Sequence, residues 1–184
     1  KYNAMNALAA ISLARELEIP IKTIQKAIKN FPGISRRFEI VGEFEVNKKK
    51  FTWVDDYGHH PTEIKEVLET INNVWKNKRI IMIFQPHRYS RTAEHFNQFV
   101  DTLKNVQNLI LMEIYAANEH KIENICSKAL ADEISKYSVN VVLINDHAKL
   151  AKFIEKTIPN DDVLLTMGAG DISKFNNYFK ESLK

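Results

Sequence analysis

The feature that most constrains the fold is a repeated alternation between short apolar runs and longer amphipathic stretches. Four runs are almost entirely apolar: Ile80–Phe84, Leu109–Met112, Val139–Ile144 and Val163–Met167. Stretches with helical spacing separate and follow them, at about 62–76, 92–105, 123–136, 147–157 and 172–182. Continuously apolar strands that alternate with helices are typical of a parallel sheet covered on both faces. We therefore predict a doubly wound α/β domain.

A pair of further strands is expected before the first of these helical stretches. From Phe38 to Val46 apolar and polar residues alternate, which is the period of a strand with one exposed face. Asn47–Lys50 is expected to form a hairpin tip, followed by a second strand over Phe51–Val54. We therefore predict that a β-hairpin opens the mostly parallel sheet.

Two helices with no accompanying strand are predicted at the start of the sequence. Residues 3–17 are rich in the strong helix formers Ala, Leu and Met, and Ile21–Ile28 has the apolar spacing of an amphipathic helix. Pro32-Gly33 then interrupts the pattern and is the strongest boundary signal in the chain. We therefore expect two regions, residues 1–33 and residues 34–184.

Composition excludes several classes of protein. The single Cys126 rules out an internal disulfide framework and a Cys-rich zinc site. Apolar runs reach about six residues, whereas a membrane-spanning helix needs about 20. The net charge is +3 and the charges are interspersed, which gives little support to nucleic-acid binding. We expect a soluble protein of a reducing compartment, the cytoplasm, with neither a membrane nor a nucleic acid as partner.

Chemically capable side chains follow the predicted strands at the points where the strands end. In an open parallel sheet, ligands bind beyond the carboxyl ends of the strands, where loops and helix N-termini meet. Four connections carry such side chains: Asp55–Glu63, Gln85–Thr92, Glu113–Glu119 and Gly168–Asp171. We therefore expect a binding site at this edge of the sheet.

The acidic and histidine-rich connection after the hairpin allows two interpretations. Pro61 and Glu63 suit the first turn of a helix, so Asp56 and His60 could serve only as its caps. Alternatively, Asp56 accepts hydrogen bonds from a ribose hydroxyl or orders a cation, and the imidazoles orient a substrate or phosphate. The adjacent histidines, His59 and His60, point in divergent directions, and the sequence supplies no third ligand at motif spacing. A dedicated transition-metal site is therefore not expected.

Arg88 and Arg91 make the next connection the most anion-attracting segment of the chain. Guanidinium groups pair bidentately with carboxylates, so two of them three residues apart would hold a small carboxylate. The alternative is a pair of solvated surface arginines.

Gly168-Ala169-Gly170-Asp171 resembles half of a dinucleotide-binding fingerprint but lacks the third glycine, so a tight strand-to-helix turn is favoured. The sequence contains no GxxxxGK[ST] phosphate loop, so it does not encode a self-sufficient P-loop enzyme.

Six short segments occur in order along the chain: Asn3–Ala10, Ser35–Glu39, Asp55–Glu63, Pro86–Thr92, Tyr115–Ala117 with Glu119, and Gly168–Asp171. Together they resemble the Mur ligases, the ATP-dependent amide-forming enzymes of peptidoglycan assembly. The resemblance covers essentially the whole chain. The loop Pro86-His87-Arg88-Tyr89-Ser90-Arg91 favours the alanine-adding branch of the family over the branch that recycles a tripeptide, whose loop resembles Pro-Arg-Ser.

The resemblance implies a division of the chain and a set of cofactors. Residues 1–33 would end a central ATPase domain, and residues 34–184 would form the C-terminal, Rossmann-like domain that binds the amino acid. The chain would be the C-terminal part of a longer ligase. The phosphate loop and the main ligands of Mg²⁺ would lie outside it, and this part alone is expected to be inactive.

The resemblance also implies roles for individual residues. The nucleotide-binding residues would be Asn3 and Asn6 for adenine, Arg37 for the phosphates and Asp56 for the ribose. The L-alanine-binding residues would be Tyr57, His59, His87, Arg88 and Arg91, with the last two on the carboxylate. His59 is the candidate general base, because a neutral amine must attack the acyl group.

The implied reaction has two stages. ATP phosphorylates the carboxylate of UDP-N-acetylmuramate, and the amine of L-alanine attacks the resulting acyl phosphate and expels phosphate. Two other classes of function stay open: a stand-alone amino-acid or nucleotide binding module, and a phosphatase or hydrolase that uses the His and Asp residues directly. A ligase part predicts no turnover by the isolated chain, whereas a hydrolase predicts phosphate release.

Overall fold

The two helices expected at the start of the chain are present in the computed structural model. It describes residues 2–158 and 160–183, apart from the side chains of Tyr2 and Asn3. Helix α1 spans Tyr2–Glu16 and helix α2 spans Ile21–Lys29. The chain divides after Ser35 into two compact units, and these two helices belong to the first.

The second unit is a six-stranded sheet with helices on both faces. Its strands are β1 (Glu39–Val46), β2 (Lys49–Asp56), β3 (Ile80–Phe84), β4 (Asn108–Leu111), β5 (Asn140–Leu143) and β6 (Asp162–Met167). Its helices are α3 (Pro61–Val74), α4 (Tyr89–Glu94), α5 (Phe96–Leu103), α6 (Ser127–Ser135), α7 (His147–Thr157) and α8 (Ile172–Ser182). None of the helices in the described residues is long and apolar enough to cross a lipid bilayer.

The order of strands in the sheet is β1-β2-β6-β3-β4-β5. Strand β1 pairs antiparallel with β2, and all the other pairs are parallel. The predicted doubly wound sheet with an opening hairpin is therefore confirmed. Because β6 is the last strand of the chain and yet lies between β2 and β3, the connection after β6 lies between the connections after those two strands.

The alternation of side chains along each strand builds two separate apolar layers. Met82 and Phe84 point to the layer that α3, α5 and α6 cover. Ile81 and Ile83 point to the opposite layer, which α7 and α8 cover. Burial on both faces explains why these strands are continuously apolar in sequence.

The backbone conformation of single residues changes the predicted bounds of the hairpin tip and of the helix expected over 92–105. The hairpin tip is only Asn47-Lys48, both with positive φ (51° and 63°), which matches a tight two-residue turn, and β2 already begins at Lys49. The helix expected over 92–105 starts at Tyr89 and is divided at His95, whose φ and ψ of −110° and 20° are not helical. Apolar periodicity alone cannot show such a break.

The helix expected over 123–136 begins only at Ser127. Cys126 is its N-cap rather than a mid-helix residue, and its Sγ accepts a hydrogen bond from the backbone N–H of Ala129 at 3.4 Å. The Ser127 hydroxyl donates to the carbonyl oxygen of Met112 at 2.7 Å, which attaches the helix start to the end of β4. The preceding residues are therefore a connection, not a helix.

A chain of buried polar contacts crosses β2 and β6 and reaches the carboxyl edge. Trp53 Nε1 donates to Thr166 Oγ1 at 3.0 Å, and this hydroxyl donates to Asp55 Oδ1 at 2.8 Å. Arg36 Nε pairs with Asp55 Oδ2 at 2.8 Å, and Arg36 Nη2 donates to the carbonyl oxygen of Gly168 at 2.7 Å. A buried carboxylate is tolerated when its oxygens are paired, as those of Asp55 are here.

We expect Thr166→Val to destabilise the fold by about 2–3 kcal/mol, because a near-isosteric apolar side chain leaves the Trp53 N–H and Asp55 Oδ1 without this partner. Urea unfolding of the two proteins would measure the difference. The matched control is Thr157→Val, since among the described residues the exposed Thr157 hydroxyl bonds to the carbonyl of Phe153 in its own helix. That change should cost less than about 0.5 kcal/mol. Equal losses at the two positions would contradict a structural role for the buried chain.

Candidate functional site

The connections that follow β2, β6, β3 and β4 meet at one edge of the sheet. The Gly168 N–H donates to the carbonyl of Asp56 at 3.2 Å, and the Gln85 N–H donates to that of Met167 at 3.0 Å. Further out, the Tyr115 N–H donates to the carbonyl of Pro86 at 2.9 Å. The expected gathering of loops beyond the carboxyl ends is therefore present, and backbone contacts extend it past the strands.

The glycine-rich turn after β6 lies very close to two neighbouring segments of the same chain. Gly168 has φ +147°, and a Cβ there would lie 2.7 Å from the carbonyl oxygen of Gln85. A Cβ on Gly170 would lie 2.6 Å from Cβ of Tyr115. Steric necessity accounts for both glycines, in keeping with the tight strand-to-helix turn favoured by the sequence. The Gln85 amide closes the turn, because its Oε1 accepts from the Ile172 N–H at 2.8 Å.

Asp56 and His60 have different roles at the end of β2. His60 caps α3, with its Nδ1 accepting from the Thr62 N–H at 3.3 Å, so the capping interpretation holds for this residue. Asp56 is buried; its Oδ2 accepts from the Phe38 N–H at 2.7 Å and its Oδ1 from the Gly58 N–H at 2.6 Å. Asp56 therefore holds the segment before β1 and the loop after β2, while His60 is the N-cap of α3.

His87, Arg91 and His59 form a group at this edge, called the histidine group below. Arg91 Nη1 lies 3.1 Å from His87 Nδ1 and 3.2 Å from the His87 carbonyl oxygen. The rings of His59 and His87 have centroids 5.6 Å apart, and Tyr57 contacts His59 edge-on at 5.4 Å. Two imidazoles, a phenol ring and a guanidinium, which the sequence places in two separate loops, are therefore neighbours.

Arg88 and Arg91 are held differently. Arg91 is partly buried against His87, whereas the Arg88 side chain is exposed. Arg88 also has φ 73° and ψ 137°, a conformation that residues with a side chain rarely adopt. Its N–H donates to the carbonyl of Tyr115 at 2.8 Å, and its carbonyl accepts from the hydroxyl of buried Thr92 at 2.8 Å. Strain of this kind persists only where surrounding contacts impose it.

Burial and like charges keep His87 neutral. Desolvation is the largest effect, and the nearby charges of His59, Arg91 and Arg88 add to it, so that the pKa of His87 lies below its ordinary value. The pKa of His60 is also lowered, first by desolvation and then by His95, whose ring lies 4.5 Å away. A neutral His87 can accept a hydrogen bond at Nδ1, as the contact with Arg91 requires.

The residues expected to bind the nucleotide are spread over both units. Arg37 lies beside the histidine group; its Nη1 pairs with Glu63 Oε1 at 3.3 Å and its guanidinium lies 5.6 Å from the ring centre of Tyr57. Asn6 is exposed on α1 in the first unit. The side chain of Asn3 lies outside the described residues.

Two residues that contact this group were not among the predicted site residues. Tyr115 stacks on His87 with centroids 5.6 Å apart and planes 13° apart. Glu63 was expected only as a helix-start carboxylate, yet it contacts Arg37 and the backbone of His59 and His60. The sequence signal for Tyr115 was its place after a buried strand, and that for Glu63 was its position three residues after the cap.

A cavity of about 220 Å³ opens at the same edge, next to the histidine group. Its lining includes Gln85, Glu113, Tyr115, His147 and Asp171, so none of the predicted site residues borders it. Within the described parts of the chain, no three His, Cys, Asp or Glu side chains are grouped so as to hold a metal ion.

Residues 36–170 match the family described as Mur ligase, glutamate ligase domain. The chain belongs to the Mur ligase family. It is 46% identical over 173 residues to the UDP-N-acetylmuramate–L-alanine ligase of Vesicomyosocius okutanii, and 41% identical over 183 residues to that of Hydrogenovibrio crunogenus. These alignments cover 94% and 98% of this chain but 37% and 40% of the relatives. This Mur ligase chain thus spans about two fifths of the length of the curated relatives it matches.

Solved structures of Mur ligases agree with this assignment. The UDP-N-acetylmuramate–alanine ligase of Thermotoga maritima superposes with a TM-score of 0.77 at 29% identity, over 98% of this chain and 37% of that one. The murein peptide ligase of Psychrobacter arcticus gives a TM-score of 0.68 at 20% identity, over 98% of this chain and 36% of that one. The second likeness shows the shared fold.

Strain at Arg88 predicts an inverted order of stability for two substitutions. Glycine normally costs about 0.5–1 kcal/mol relative to alanine, but relief of a strained positive φ returns about 1–3 kcal/mol. Arg88→Gly should therefore be more stable than Arg88→Ala, as measured by thermal unfolding. At helical Arg91 the usual order should hold, with Arg91→Ala the more stable. The same order at both positions would show that the Arg88 backbone is relaxed.

The lowered pKa of His87 predicts how stability depends on pH. Between the lowered folded value and the ordinary value of about 6.5, the unfolded chain binds more protons at this residue than the folded chain. His87 should therefore favour folding above pH 6.5 and progressively lose this contribution as the pH falls. NMR titration of the His87 ring should give a midpoint below 6.5.

The charge on Arg91 gives this titration an internal control. Arg91→Gln should move the midpoint of His87 upward, because it removes a neighbouring positive charge. Lys128→Gln removes an exposed positive charge from α6 and should leave the midpoint where it is. An unchanged His87 midpoint in Arg91→Gln would exclude electrostatic coupling between the two side chains.

Proposed function

We propose that this chain is the C-terminal, amino-acid-binding part of an ATP-dependent ligase that joins L-alanine to UDP-N-acetylmuramate in peptidoglycan synthesis. The observation that carries the proposal is the meeting of Tyr57, His59, His87 and Arg91 at one edge of the sheet. Relatives 41–46% identical to this chain are named for that reaction, which supports the assignment. The route would serve cell-wall formation, and with it cell shape and division, in the cytoplasm.

In this proposal the arginines hold the carboxylate of L-alanine. Both described contacts of Arg91 use Nη1, and a guanidinium has five N–H donors on three nitrogens. Arg91 can therefore stay on His87 and still present donors to a carboxylate. Arg88, exposed and next in space to His87, would supply the second positive charge. The neutral His87 ring, stacked on Tyr115, would form one wall of the site.

His59 is proposed to take or relay the proton of the attacking amine. Its Nδ1 lies 3.0 Å from the carbonyl oxygen of Tyr57, and a carbonyl oxygen can only accept. Nδ1 must therefore carry a hydrogen, so whenever the ring is neutral its lone pair is on Nε2. That arrangement suits a general base acting at Nε2.

The chemistry at the reacting carbonyl would follow from positioning. The amine of L-alanine attacks the acyl phosphate of muramate, passes through a tetrahedral intermediate and expels phosphate, while its proton leaves through His59. Holding the amine beside the acyl group makes the step effectively intramolecular, and exclusion of water protects the acyl phosphate from hydrolysis.

The nucleotide side of the site is proposed to combine this chain with residues beyond it. Arg37 would approach the phosphates of ATP, and Asn6 with Asn3 the adenine. Asp56 is buried and both its oxygens accept from backbone N–H groups, so the ribose contact expected for it is not part of the proposal. Residues 1–33 would complete a central ATPase domain, which agrees with the exposure of Met5, Leu8, Leu13 and Leu17. The phosphate loop and the main ligands of Mg²⁺ would come from that domain.

Arg91→Ala in the full-length enzyme should raise the KM for L-alanine on the order of tenfold to a hundredfold, because a charged hydrogen bond to the carboxylate is lost. The measurement is ADP release against a panel that includes L-alanine, glycine, L-serine and the tripeptide. The isolated 184-residue chain should give no turnover.

The control for this experiment is Lys128→Ala, which removes an exposed positive charge on α6 and should leave the KM for L-alanine unchanged. A change confined to the KM for ATP would contradict the role of Arg91. ADP release driven by the tripeptide instead of L-alanine would favour the recycling reaction, and phosphate release by the isolated chain would favour a hydrolase.

A further inference from the structure

Glu63 lies between the residues proposed for the nucleotide and those proposed for the amino acid. Its Oε1 accepts from Arg37 Nη1 at 3.3 Å. Its Oε2 accepts from the backbone N–H groups of His59 and His60, at 2.9 and 3.1 Å, and lies 3.8 Å from His59 Nδ1. One carboxylate therefore contacts both sides of the site, with a different oxygen for each.

The Glu63 carboxylate is held in its charged form. Burial favours the neutral acid, but the N–H groups of His59 and His60, the charge of His59 and the Arg37 hydrogen bond outweigh it, so the pKa of Glu63 lies below its ordinary value. An ionised acceptor makes the shorter and stronger class of hydrogen bond. Glu63 can thus hold the guanidinium and both backbone groups at once.

Arg37 has a second contact on the amino-acid side. Its guanidinium lies 5.6 Å from the centre of the Tyr57 ring, and that ring meets His59 edge-on. The side chain is still about one third exposed, so it stays accessible to a ligand. Its direction is therefore set by Glu63, in the first turn of α3, and by Tyr57, in the loop that carries His59 and leads into that helix.

We propose that Glu63 is a positioning residue, which orients Arg37 for the nucleotide phosphates from the same helix start that fixes His59 for the amino acid. This inference rests on the proposed function. One oxygen of the Glu63 carboxylate bonds to the backbone of His59 and His60, and the other bonds to Arg37. The position of the Arg37 guanidinium therefore depends on the position of that loop.

A helix cap alone would explain only half of these contacts. Glu63 is the N3 residue of a capping box whose N-cap is His60, and Gln serves at N3 as well as Glu. In Glu63→Gln the amide oxygen can keep the backbone N–H groups, while the amide NH₂ would face the guanidinium as a second donor. This substitution therefore separates the cap from the contact with Arg37.

The decisive experiment is steady-state kinetics of the full-length enzyme with Glu63→Gln. We expect the KM for ATP to rise about two- to fivefold, the size of effect that a partly exposed ion pair contributes, with the KM for L-alanine within about twofold of wild type. The Tm should fall by only a few degrees. Glu63→Ala removes both kinds of contact and should raise both KM values. Glu69→Gln, an exposed change on the same helix, is the matched control and should change none of them.

A double-mutant cycle shows whether Glu63 acts through Arg37. If it does, Glu63→Gln should add nothing to the rise in the KM for ATP that Arg37→Ala causes. Additive effects, an unchanged KM for ATP in Glu63→Gln, or no effect of Arg37→Ala would each overturn the inference. A lower KM for ATP would overturn it too, since Glu63 would then compete with phosphate. Wild-type enzyme that releases no ADP with L-alanine would instead refute the proposed function.

Discussion

The buried carboxylate of Asp55 is the constraint on which the site end of the sheet depends. A buried charge on an inner strand is tolerated only if both oxygens are satisfied, and here Thr166 bonds to Oδ1 and Arg36 to Oδ2. Arg36 must therefore lie against the end of β2, and its remaining reach goes to the carbonyl of Gly168. That single residue links the segment before β1, the end of β2 and the turn after β6.

This link determines where the next residues can be. Arg37 follows Arg36 directly, and the Arg36 carbonyl accepts the Tyr57 N–H at 2.6 Å. The Tyr57 ring consequently lies within 5.3 Å of one guanidinium and 5.6 Å of the other. Because the charge of Asp55 must be neutralised inside the sheet, Arg37 and the Tyr57 ring lie at the edge of the sheet, next to the histidine group.

The sequence was sufficient for the sheet but not for the contacts at its edge. Continuously apolar runs predict buried parallel strands because both faces must be covered, and the described strands agree. The break at His95 and the tight Asn47-Lys48 turn depend on backbone conformation at single residues, which periodicity does not encode. Loops after neighbouring strands were correctly expected to meet. Spacing does not predict that Glu63 contacts Arg37 or that Tyr115 contacts His87. The first contact reaches beyond the helix cap, and the second joins elements that are distant in sequence.

The same electrostatic field acts on the protein and, under the proposed function, on its substrate. Desolvation together with the charges of His59, Arg91 and Arg88 lowers the pKa of His87, although Glu119 opposes it. An ammonium group bound in that surrounding would experience the same two effects, and both disfavour its protonated form. The arginines that attract the carboxylate of an amino acid would therefore also help to free its amine as a nucleophile. Under the proposed function, a cationic cluster next to a neutral imidazole would combine binding of the substrate with activation of its amine.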